Sequence, residues 1–119
     1  MIAELTLLLD SDAIEPGAPI TGRVAWSAKV ESLEVLLRWE TSGKGDKDTA
    51  IVARVPIVIP DHEAREAPFV LTGPEQPFSF SGKLLSLTYY VRVENTAGGH
   101  FETEIVIAPG ATEVRLAGA

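Results

Sequence analysis

The sequence of 119 residues contains no cysteine, 17 acidic and 10 basic residues and two histidines, giving a formal charge of −7. That length suits one domain, spanning 1–119. The charge excludes a nucleic-acid binder working by general electrostatics, which needs a basic face. The lack of cysteine excludes a disulfide framework, a thiolate zinc site, an iron–sulfur cluster and a cysteine nucleophile. At 45% hydrophobic, the chain has the composition of a folded protein. The opening Met1–Asp10 carries Glu4 and no basic lead, unlike a signal peptide. No apolar run approaches the ~20 residues of a membrane-spanning helix. The expectation is a cytoplasmic protein with no membrane insertion.

In chain order, the elements read as strands, because apolar residues recur every second position and a two-residue period puts one set on a buried face. Leu5, Leu7 and Leu9 open the series, and Ile20, Val24 and Trp26 continue it. Leu33, Val35, Leu37 and Trp39 alternate with Glu34, Arg38 and Glu40. Phe69 with Leu71, and Phe78 with Phe80, are shorter versions. Leu87, Tyr89, Val91 and Val93 alternate with Thr88, Tyr90, Arg92 and Glu94; Phe101, Thr103, Ile105 and Ile107 alternate with Glu102 and Glu104. Turn residues separate the runs, at Pro16-Gly17, Ser42 to Asp46, Pro60-Asp61, Gly73-Pro74, Ser81-Gly82, Gly98-Gly99 and Pro109-Gly110. Asp61 to Ala67 has room for one short turn, and Arg115 to Ala119 are expected to fray. Matching inward residues predicts a hairpin of Leu87–Asn95 and Phe101–Ala108 across Thr96 to His100. In it Val91 faces Ile105, Val93 faces Thr103, and Arg92 stands opposite Glu104. The pattern predicts an all-β, immunoglobulin-like antiparallel sandwich of about seven or eight strands.

One segment departs from alternation. Ile51 to Ile59 reads IVARVPIVI, apolar on both parities. Such a run suits a central strand covered on both faces, but Pro56 removes a ladder donor. An edge strand, or a strand with a bulge, fits better. Its open main-chain groups make it the segment to pair with a second copy or a protein partner. The candidate partner-binding residues are Ile51, Arg54, Val55, Ile57 and Ile59. Arg54 is equally suited to guard the edge against pairing. The acidic charge favours a basic partner.

Catalytic chemistry finds little machinery. His62 and His100 are the only side chains that ordinarily titrate near neutral pH, and neither stands in a hydrolase or metal spacing. Ser79-Phe80-Ser81-Gly82 lacks the G-x-S-x-G frame, and Gly43-Lys44-Gly45 lacks the strand–loop–helix setting of a phosphate loop. Asp10, Asp12 and Glu15 share one loop, and Asp61, His62, Glu63 and Glu66 another. Oxygen-rich sandwich loops can hold calcium, but the EF-hand pattern is absent and solvated loop acids are the simpler reading. Trp26, Trp39, Phe78, Phe80 and Tyr89 lie at inward parity and read as core, whereas Tyr90 faces out beside Arg92. No catalytic residue, metal or cofactor is assigned.

Pro16-Gly17-Ala18-Pro19-Ile20-Thr21-Gly22-Arg23-Val24 resembles the "PGE-x-v-x-G-x-v" opening of arrestin-like domains. Leu33-Glu34-Val35-Leu36-Leu37 is similar to the next strand of that fold. Gln76 to Val93, QPFSFSGKLLSLTYYVRV, resembles the family's "P-x-S-F-x-G-x-x-x-x-I-x-Y-x-v-x-v" signature. The likeness spans nearly the whole chain, as one half of a two-domain arrestin, and extends to bacterial sporulation-control proteins and the retromer cargo subunit. It implies a non-catalytic adaptor that holds proteins on sandwich surfaces and loops. Receptor arrestins sense phosphate through a lysine pair near the first strand and an arginine on the late strand. Here Ile2–Leu7 has no lysine and Thr103–Ala108 no arginine, so the resemblance does not carry that sensor. A second sandwich would have to come from another chain. The alternative from another class is a calcium- or carbohydrate-binding module.

Overall fold

A computed structural model describes residues 3–43, 47–81, 85–111 and 114–115. Lys44 to Asp46 of the expected hairpin tip, Gly82 of the Ser81-Gly82 turn and residues 116–119 lie outside them. Two sheets are packed face to face. In the smaller one β1 (Leu5–Leu9), β3 (Pro19–Trp26) and β6 (Glu66–Thr72) run in the order β1-β3-β6, all antiparallel. The larger sheet holds β2 (Ala13–Ile14), β4 (Leu33–Gly43), β5 (Thr49–Pro56), β7 (Phe80–Ser81), β8 (Leu85–Asn95), β9 (His100–Ile107) and β10 (Val114–Arg115). β4 lies between β5 and β8, and β8 carries β7 and then β9 along its other side.

The alternation of apolar residues sets this arrangement. Leu5, Leu7, Ile20, Val24, Trp26, Leu33, Val35, Leu37, Phe69, Tyr89, Val91, Val93, Ile105 and Ile107 are all buried in one cluster between the sheets. Each such side chain taken from water stabilises the fold by about 1.5–3 kcal/mol. Trp39 and Phe80 point the expected way but are half-buried, packed against the cluster's margin. Gly22 sits in the middle of β3 between Leu9 and Phe69. A Cβ there would lie 2.5 Å from the Leu8 carbonyl oxygen and 3.2 Å from the Phe69 ring. Only glycine lets β1 and that ring close on β3.

Several expectations are corrected. Phe78 is 38% exposed, and Ser79 is buried in its stead. The Ser79 N–H donates to the Ile107 carbonyl at 2.7 Å and its Oγ accepts from the Ile107 N–H at 3.0 Å, so the hydroxyl is drawn inward and the ring turned out. Phe101, beside the hairpin turn, is also 38% exposed. The hairpin itself closes at Asn95 and Gly99, where the Asn95 N–H donates to the Gly99 carbonyl at 3.0 Å. Gly98 and Gly99 adopt φ of 116° and 99°, which makes this tight closure possible. The register therefore slides by two residues: Tyr89 faces Ile105, Val91 faces Thr103, Val93 faces Phe101 and Arg92 faces Glu102. A slip of two keeps every side chain on its expected face. Two short pairings, β2 with β9 and β10 with β7, are parallel in an otherwise antiparallel structure. Arg115, expected to fray, pairs with Ser81 in β10. Asp61 to Ala64 forms one turn, in which Asp61 Oδ1 accepts from the Glu63 and Ala64 N–H groups at 2.8 and 2.9 Å.

Candidate functional site

β5 is an edge strand: among the described strands it pairs only with β4. It also carries a bulge, since Leu37 faces Ala53 while the next residue, Arg38, faces Ile51, leaving Val52 unpaired. Past Pro56 the ladder continues through the Ile57 N–H, which donates to the Leu33 carbonyl at 2.9 Å. The bulge accounts for apolar residues at both Ile51 and Val52, because it shifts the inward set by one residue. Val55 and Ile59 pack against the core and Ile57 is buried in it. Ile51, Val52 and Val58 are 47%, 42% and 80% exposed. Arg54 donates to Glu34 Oε1 at 2.9 Å across the outer face. Of the five sequence-derived candidates, Ile51 and Arg54 therefore face outward and Val55, Ile57 and Ile59 face the core.

The outer face of the large sheet holds a charged network beside this edge. Arg38 Nε and Nη2 donate to Glu102 at 2.6 and 2.7 Å, and Nη1 donates to Glu40 at 3.1 Å. The guanidinium lies over the Tyr90 ring, 4.6 Å from its centroid. Arg38 holds the Glu102 and Glu40 carboxyls below their ordinary value, chiefly through these hydrogen bonds, and its own pKa is raised in return. Burial raises the Tyr90 hydroxyl's pKa, with Glu40 and Glu104 adding to the effect. Leu36, also on this face, is 1% exposed. Its neighbours across the ladder are Arg54 on β5 and Arg92 on β8. The adjacent Leu36-Leu37 pair, which breaks the strict alternation of β4, is the sequence signal for this outer apolar position.

The remaining candidates for chemistry are dispersed. His62 and His100 are both exposed. Asp10 Oδ2 accepts from the Thr21 hydroxyl at 2.6 Å, and Glu15 Oε2 accepts from the Gly110 N–H at 3.0 Å. Among the described residues no three metal-ligating side chains gather. Nor is any described helix long and apolar enough to cross a membrane.

The two packed sheets and their strand order define an arrestin-like β-sandwich. The structure is similar to the crystal structure of Spo0M, a sporulation control protein from Bacillus subtilis, with a TM-score of 0.63 and 17% identity over 89% of this chain. The match covers 49% of Spo0M, so the chain spans about half the length of that protein. A second likeness, to a cycloisomaltooligosaccharide glucanotransferase from Paenibacillus sp., covers 90% of this chain and 14% of the enzyme at 20% identity. Its TM-score of 0.44 is too low to define a shared fold. No family model matches the sequence, and no curated protein does.

Proposed function

We propose that this chain is a non-catalytic, protein-binding adaptor domain of the cytoplasm, and that the free edge of β5 takes part in the contact. The observation that carries this reading is an edge strand bearing exposed Ile51 and Val52. An open ladder edge can accept an added strand from a second copy or a partner, with main-chain hydrogen bonds supplying affinity. The fold shared with a sporulation control protein supports a regulatory rather than catalytic role. The bulge at Val52, the missing donor at Pro56 and the cation of Arg54 restrict what can pair, which suits a selective contact.

The test is light scattering and partner capture with the wild type and Val52→Lys. Val52 is 42% exposed, so the lysine is tolerated in the fold while charging the edge. Loss of self-association or of a captured partner is the expected result. A folded Val52→Lys protein that keeps both would remove β5 from the contact surface. Thermal melts with calcium and a sugar panel address the rival binding module, since ligand at 100 times its Kd adds about 2.7 kcal/mol.

A further inference from the structure

Besides β5, the strands β1, β6 and the first half of β9 each have a side that no described strand pairs. Within a strand, the N–H and C=O of one residue point to the same side, and successive residues alternate between sides. Main-chain bonds at the ends of the ladders fix which residues face outward. The Ser27 N–H donates to the Glu4 carbonyl and the Asp10 N–H to the Thr21 carbonyl, each at 3.0 Å. The even-numbered residues of β1 therefore bond β3, and Leu5, Leu7 and Leu9 turn their main-chain groups to the open side. In β6 the Trp26 N–H donates to the Arg65 carbonyl at 2.9 Å and the Gly73 N–H to the Ala18 carbonyl at 3.1 Å, so Pro68 stands on the open side. In β5 the bond from Ile57 to Leu33 puts Pro56 on the open side in the same way. A proline at such a position leaves an added strand without a donor. In β9 the Val106 N–H donates to the Asp12 carbonyl at 2.8 Å, so the open stretch presents His100, Glu102 and Glu104, polar side chains that discourage pairing. β1 has no guard of these kinds. Its sequence, LTLLL, holds no proline and no charge, and its ladder with β3 runs without a bulge.

We propose that β1 pairs antiparallel with β1 of a second copy, about a two-fold axis through Thr6, joining two three-stranded sheets into one. Residues that face the open side must meet their like, so the axis can pass only through a residue and not between two. Centred on Leu7, the pairing sets Glu4 opposite Asp10 of the second copy, two carboxylates, which destabilises the ladder. Centred on Leu5, it shortens the described ladder to Ala3–Leu7. Centred on Thr6, it sets Leu5 opposite Leu7, Ala3 opposite Leu9, Glu4 opposite Leu8 and Thr6 opposite its own copy. No like charges then face one another, a threonine pair lies on the axis, and Leu8, 53% exposed, gains cover. The segment is thus its own complement, which singles out a second copy as the occupant. The dimer leaves β5 open, so it goes beyond the adaptor contact proposed above and does not depend on it.

The test is sedimentation equilibrium of the intact chain at about 0.15 M salt, where repulsion between two copies of charge −7 is largely screened. A ladder of this length buries less than a standard interface, and the expected Kd is on the order of 0.1 mM. Thr6 is exposed, so Thr6→Lys and Thr6→Glu are tolerated in the fold, which thermal melts check. Each variant alone sets like charges against each other on the axis and weakens the dimer about tenfold or more. An equal mixture of the two restores association to within about threefold of wild type, because only a residue on the axis meets its own copy. In hydrogen exchange the Leu5, Leu7 and Leu9 amides are protected at about 1 mM protein and exchange freely at about 10 μM. The proposal is overturned by a monomer at about 2 mM, by a dimer indifferent to Thr6→Lys, or by a mixture that fails to re-form it. Self-association lost in Val52→Lys and kept in Thr6→Lys would overturn it in favour of β5. A dimer sensitive at Thr6, with partner capture and self-association both unchanged in Val52→Lys, would uphold it and overturn the β5 reading.

Discussion

Arg38 and Glu102, 64 positions apart in the chain, form a two-pronged ion pair at 2.6 and 2.7 Å across the outer face of the large sheet. They are not direct ladder neighbours. Arg38 faces Tyr90, and Glu102 faces Arg92, so the arginine reaches diagonally over β8. The contact ties β4 to β9 across an intervening strand, with side chains only 18% and 21% exposed. Partial burial and bidentate geometry set it apart from exposed pairs such as Arg23–Glu66, whose side chains are 49% and 55% exposed. Arg38→Gln is expected to cost about 1–3 kcal/mol, and a double-mutant cycle with Glu102→Gln to give a coupling of about 1 kcal/mol or more. Urea denaturation of the four proteins checks both numbers.

The same network gives stability a dependence on acid. The Glu102 and Glu40 carboxyls are held below their ordinary value of 4.5, in each case chiefly by the hydrogen bond from Arg38. Depressed carboxyl pKa values in the folded state contribute stability that is present above the unfolded value and lost as pH falls through the folded one. Melting temperature should therefore fall below about pH 4.5. Glu102→Gln should melt lower than wild type at pH 7, and the gap between them should close as the pH is lowered.

Tyr89 supplies the alkaline counterpart. It is fully buried, its hydroxyl donates to the Pro77 carbonyl at 2.8 Å, and burial pushes its pKa up to about 12. Its folded value lies above the unfolded value of about 10, so its contribution is complete below pH 10 and is lost as pH rises toward 12. Tyr89→Phe should flatten the fall in melting temperature across that window, at a cost near neutral pH of about 1 kcal/mol for the lost hydrogen bond.

Gly22→Ala should destabilise by about 1–3 kcal/mol, because the added methyl meets the Leu8 carbonyl and the Phe69 ring. Gly98→Ala would act differently: nothing lies within 4 Å of its Cβ position, but a φ of 116° is one L-residues rarely adopt. Thermal melts of both, with Phe69→Leu added to Gly22→Ala, separate collision from backbone strain. The second change should recover part of the first variant's loss.

Leu36 and Leu37 are adjacent and almost equally buried, at 1% and 0% exposure, on opposite faces of β4. Leu37→Ala opens a cavity between the sheets and should cost about 2–5 kcal/mol. Leu36→Ala should cost roughly half as much, since its surroundings are arginine side chains beside an open groove that can move to fill the space. Equal losses in urea denaturation would show that the outer face is packed as rigidly as the core.

The sequence alone determined the fold class and most of the core. A period of two is a local property, so Leu33, Val35 and Leu37 or Tyr89, Val91 and Val93 declare their face without knowledge of any partner strand. It also placed Ile51 to Ile59 at an edge, because Pro56 forbids a full ladder. Pairing between strands is a different matter. The hairpin register depended on two glycines at positive φ, and a shift of two residues preserves the pattern that sequence can show. The bulge at Val52 decided which residues of β5 and of the segment after it face out, with Val55, Ile57 and Ile59 inward and Ile51 and Arg54 outside. The diagonal from Arg38 to Glu102 and the facing of Glu34 with Glu94 exist only once β4, β8 and β9 are in register. Those contacts join residues about sixty positions apart, and only the closed sheet brings them within reach of one another.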